Sequence, residues 1–108
     1  LMHRAALQMG LPPHALLLDV RARHSTTNLR NAGRLMLEHG LTRALITTSP
    51  GQDFYFSAAW LSDFHGRCLR ELGYVVGELT DLGADAWRSE YRPSPEVHRV
   101  QWWDPLDP

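Results

Sequence analysis

The stretch that decides the fold runs from Ala15 to Thr48 and reads ALLLDVRARHSTTNLRNAGRLMLEHGLTRALITT. It opens on a continuous apolar run, Ala15-Leu16-Leu17-Leu18, after the Pro12-Pro13 turn. A run this short, flanked by proline, reads as a buried parallel strand. Asp19 stands at its carboxyl end. A polar loop, Arg21 to Asn28, comes next, and then Leu29, Ala32, Gly33, Met36 and Leu37 recur at helical spacing. Ser25, Thr26 and Thr27 are helix-capping residue types placed just before that stripe. Gly40 stops the helix. Ala44 to Thr48 reads as a second strand, turned by Ser49-Pro50-Gly51.

Working outward, Met2, Ala5, Ala6 and Met9 share one helical face, and Gly10 ends that short helix. A further helix is predicted from about Phe56 to Leu72, with Leu61, Phe64, Cys68, Leu69 and Leu72 on one face. Gly73 stops it, and Tyr74 to Leu79 reads as a third strand. From Asp85 to Pro108 the chain carries four prolines together with Trp87, Trp102 and Trp103. Proline keeps such a tail extended, and the tryptophans require it to dock. The order helix-β-α-β-α-β predicts an α/β three-layer fold: a short parallel sheet of about three strands, with helices packed on it. We expect residues 1–108 to form a single α/β domain or domain fragment, with 85–108 docked as a tail.

Composition narrows the function classes. A chain of 108 residues, 44% hydrophobic with four Trp, is a folded domain and not a disordered segment. The net charge of −1, without a basic stripe, argues against nucleic acid as a partner. All eleven basic residues are Arg, which fits coding bias or a use for planar forks at one or two positions. The one cysteine, Cys68, excludes an internal disulfide and zinc sites of the CxxC type. No run of about 18 apolar residues exists, so no membrane span is expected. The chain opens at Leu1 inside a helical pattern, which reads as a fragment of a longer protein.

In open parallel sheets, ligands bind beyond the carboxyl ends of the strands, where helix N-termini favour anions. That rule nominates Asp19, Arg21, Arg23, Ser25, Thr27, Asn28, Asn31, Thr48 and Ser49 as ligand-binding residues. The arginines would supply charge and bidentate donors to a small anion. Each also has a plainer role. The hydroxyls cap a helix, the arginines are solvated, and Asn28 and Asn31 hold loop backbone. His24 is the histidine best placed for acid–base work, with Asp19 or Asp53 as its orienter. Nucleophile elbow, P-loop and zinc spacings are missing, so no catalytic or metal-ligating residue is assigned.

The run Ser25-Thr26-Thr27-Asn28-Leu29-Arg30-Asn31-Ala32 resembles the Ser-x-Asn-Thr-x-x-Asn-Ala motif of the YdcF/SanA/ElyC-like family. Ser25, Asn31 and Ala32 match, whereas the middle pair is Thr27-Asn28. Leu45 to Ser49 resembles the family's strand into Thr-Ser, but Pro50 to Ala58 lacks its His and Arg. The likeness covers roughly Met9 to Thr80 and corresponds to the C-terminal half of such a domain. It implies a Rossmann-like fold, a bacterial cell-envelope role in the cytoplasm or at the envelope, and S-adenosylmethionine as a ligand of one branch.

Two functions follow as expectations. One is a domain of this family that binds a phosphate-bearing or nucleotide-like ligand at the Arg21–Asn31 loop. The other is a non-catalytic interaction or oligomerisation module, with a homodimer as its simplest form.

Overall fold

The computed structural model describes residues 2–47, 63–81 and 88–108. Helix α1 spans Met2–Gln8, and a 3-10 turn covers Pro13–Ala15. Helix α2 spans Ser25–Glu38 and strand β1 spans Ala44–Thr47. Helix α3 spans Phe64–Glu71, strand β2 spans Gly77–Asp81 and strand β3 spans Arg88–Pro93. A 3-10 turn at Pro95–His98 follows. Among the described residues, no helix is long and apolar enough to cross a membrane.

The sheet has the order β1-β3-β2, and both pairings are antiparallel. This corrects the expected parallel, Rossmann-like, three-layer fold. Tyr91 sits at the middle of the sheet, opposite Ala44 on β1 and Leu79 on β2. The middle strand thus comes from residues read in the sequence as part of a Pro- and Trp-rich tail. Side chains alternate along it: Ser89 and Tyr91 point inward and are buried, while Arg92 is exposed on the other face. The outer face also carries exposed Leu45, Glu78 and Thr80. It is a solvated face, which antiparallel sheets tolerate and parallel ones do not.

Two other expectations change with the topology. Ala15–Leu18 is not a strand: a 3-10 turn ends at Ala15, and Leu17 and Leu18 are exposed. The sheet's third strand is instead β3, which takes the central place. The third strand begins at Gly77, with Tyr74 and Val76 buried before it as core residues. The proposed helix start near Phe56 lies outside the described residues.

One core joins Leu29 and Met36 of α2, Phe64 and Cys68 of α3, Tyr74, Val76, Tyr91 and Val97. The predicted apolar stripe of α2 is the face that enters it, and Gly33 lets it come close. A Cβ there would lie 2.7 Å from the Tyr91 hydroxyl and 3.0 Å from both Pro93 Cβ and Val97 Cγ1. The hydroxyl itself donates to the Val76 carbonyl at 2.7 Å. Burial pushes the Tyr91 phenol and the Cys68 thiol up from their ordinary values, so both stay neutral.

Gly33→Ala tests this contact. Alanine normally stabilises a helix interior relative to glycine. Here the overpacked side chain should instead destabilise the fold by about 1–3 kcal/mol in urea unfolding. A raised midpoint would show that helix and sheet do not meet at this position.

Candidate functional site

Helix α2 buries two stripes, not one. The first is the apolar face described above. The second is polar: Thr27, Arg30, Asn31 and Arg34 follow the spacing i, i+3, i+4, i+7 and are all buried. This second stripe faces the segment before the helix and the segment after Val97.

At its upper end, Thr27 fastens the preceding loop. Its hydroxyl oxygen accepts from the backbone N–H of Arg23 at 2.9 Å and of His24 at 2.8 Å. The same hydroxyl donates to the His24 carbonyl at 2.9 Å. His24 holds the N-cap position. Thr26 donates to the Glu71 carboxylate on α3. The start of the helix is therefore occupied by the chain's own groups, with a carboxylate beside it.

Lower on the stripe the groups form a chain of charges. Asn31 Nδ2 donates to both carboxylate oxygens of Asp19 at 3.2 Å, and its Oδ1 accepts from Arg30 Nε at 3.1 Å. Arg30 Nη2 donates to the backbone O of Pro108 at 3.0 Å. Its Nη1 lies 3.0 Å from Asp107 Oδ1, an ion pair without hydrogen-bond alignment. Arg34 grips the same carboxylate as a fork, at 2.9 and 3.2 Å. It also donates to the Val97 carbonyl at 2.6 Å and to the Val100 carbonyl. The Arg30 side chain is only 2% exposed.

Above this chain lies a cleft of about 390 Å³ whose lining includes Arg21, Arg23, Arg30, Asn31, Trp102 and Asp107. A smaller neighbour of about 160 Å³ shares Arg21, Asn31 and Trp102 and adds Asp19 and Arg34. The Arg21 guanidinium stacks over the Trp102 ring, 4.1 Å from its centroid. Three arginines and one carboxylate line the larger cleft, so it favours an anion.

Of the residues nominated from sequence, Asp19, Arg21, Arg23 and Asn31 come together around these clefts. Thr27 sits beneath them as a loop clasp. Ser25 is half-buried and Asn28 exposed, and neither lines the clefts. Thr48 and Ser49 lie outside the described residues, as does Asp53. Arg30, Arg34, Trp102 and Asp107 were missed. The helical spacing of Arg30 and Arg34 with Thr27 and Asn31 was the signal that could have found the arginines. Among the described residues, no three His, Cys, Asp or Glu side chains gather as metal ligands. No family model, curated protein or solved structure matches the chain.

Thr27→Val keeps the shape of the side chain and removes the clasp. It should lower stability by about 1–2 kcal/mol. It should also speed amide exchange at Arg23 and His24, and unchanged protection at those amides would rule the clasp out.

Proposed function

We propose that the protein is a binding module for a small phosphate-bearing anion, held in the cleft between residues 20–23, α2 and the 102–108 segment. The observation that carries this reading is the charge of the lining, where Arg21, Arg23 and Arg30 face a single Asp107 carboxylate. Arg21 and Arg23 are exposed, and Arg21 is held over the Trp102 ring at the cleft. Guanidinium forks match phosphate oxygens in pairs. The loop involved is the one whose sequence resembles the YdcF-like motif. The S-adenosylmethionine implied by that resemblance is a poor fit. It carries a sulfonium and an ammonium against one carboxylate, and a cationic cleft repels the first two.

The test is a titration with inorganic pyrophosphate, followed by two-dimensional amide NMR. Saturable shifts are expected at residues 20–23, 30–34 and 102. The double variant Arg21→Ala/Arg23→Ala should weaken binding by about tenfold or more, because each charge-assisted hydrogen bond contributes roughly 1.5–3 kcal/mol. Unchanged affinity in that variant would remove the cleft from consideration.

A second reading, an interaction module that self-associates, is favoured by the exposed apolar residues of the 11–20 segment. Leu11, Leu17, Leu18 and Val20 are all exposed, Val20 by 79%. Sedimentation velocity should then show mass rising with concentration, and Leu17→Ser/Leu18→Ser should abolish the rise. A monomer at every concentration would exclude self-association through this segment.

A further inference from the structure

The Arg30–Arg34 pair holds an anion already, and that anion belongs to the chain. Both guanidiniums, one turn apart on α2, converge on the Asp107 carboxylate. Two positive charges thus meet one negative charge at a buried point. A phosphoryl dianion would match the pair better than a carboxylate does.

We propose that Asp107 is an internal stand-in for a phosphoryl dianion, and that residues 101–108 form a strap which such a ligand displaces. This rests on the anion-binding reading above and adds where the anion binds and what it must remove.

Three features favour displacement. First, little apolar burial holds the strap. Trp102, Trp103 and Leu106 are 58%, 67% and 80% exposed, whereas the Asp107 side chain is only 7% exposed. Second, the strap is folded on itself. Asp104 N–H donates to the Gln101 carbonyl, Asp107 N–H to the Asp104 carbonyl and Leu106 N–H to Asp104 Oδ1, each at 2.9 Å. It can therefore swing as a unit about Gln101. Third, the α2 wall of the receiving site survives its departure. Arg34 remains tied to the Val97 and Val100 carbonyls, and Val97 is fully buried. The cleft that Arg30 and Asp107 line is also lined by the exposed Arg21 and Arg23, whose charge draws an anion toward it.

The experiment compares the wild-type chain with Asp107→Asn and Glu78→Gln, using pyrophosphate as the probe. Asparagine at 107 keeps the shape and removes the competing charge. Affinity should rise about tenfold or more, because a tethered competitor acts at an effective concentration of roughly millimolar. Glu78→Gln, on the outer face of the sheet, changes the net charge equally without touching the pair or the strap and should bring no tightening. In the wild type, saturating pyrophosphate should shift the Trp102 and Trp103 indole resonances and speed amide exchange over 102–107. That measurement decides the matter if Asp107→Asn fails to fold.

Equal or weaker binding by a folded Asp107→Asn overturns the proposal, as does strap exchange that pyrophosphate leaves unchanged. If wild-type binding depends on Arg21 and Arg23 yet ignores Asp107, the cleft stands and the displaceable strap falls. If only Asp107→Asn binds, pyrophosphate does not displace the wild-type strap, and the proposal falls together with the open wild-type cleft. Binding by neither overturns both.

Discussion

Tyr91 is the point on which the rest of the structure rests. Its backbone stands between Ala44 and Leu79 at the centre of the sheet. Its hydroxyl reaches the Val76 carbonyl inside the core, and that same oxygen marks how near α2 may come. Only a residue without a side chain fits at the crossing, and Gly33 supplies it. A buried phenol with its donor satisfied adds both area and direction to a small core. With the helix fixed at Gly33, its neighbouring stripe is aimed at the Val97–Pro108 segment. The position of the charged cluster therefore follows from an aromatic contact on the other side of the helix.

The charged cluster itself is a structural compromise. Taking two guanidiniums out of water is unfavourable unless geometry and further hydrogen bonds compensate. Arg34 meets that demand fully, with a fork on Asp107 and two carbonyls. Arg30 meets it less well, since one of its nitrogens faces Asp107 without alignment. Asn31 links the pair to Asp19, and so ties the loop before the helix to the segment that ends the described chain. Loop, helix and strap are joined through side chains of one helical stripe.

Much of this was legible in the sequence, but unevenly. The apolar stripe of α2, its Gly40 stop and the strand at Ala44 follow from periodicity and punctuation. Asp19, Arg21, Arg23 and Asn31 were legible as a cluster because polar residues gather before the helix. The sheet was misread at two places. Ala15–Leu18 is as apolar as a buried strand, yet periodicity carries no information about whether a partner strand exists. Arg88–Pro93 alternates inward Ser89 and Tyr91 with outward Glu90 and Arg92, a strand signal that the surrounding prolines and tryptophans masked. Arg30 and Arg34 were hidden for another reason: arginine on a helix is usually solvated, and only a carboxylate distant in sequence buries it.

The sheet order has a consequence for how the chain is made. β1 and β2 do not pair with each other; each pairs with β3, which is the last of the three to be synthesised. A ribosome-bound chain that has released β1 and α3 still has no ladder for either edge. The contact between Ala44 and Tyr91 spans nearly half the chain, and long loops close slowly. Folding therefore waits for Tyr91 to emerge. Until then the apolar face of α2 has no sheet to cover it.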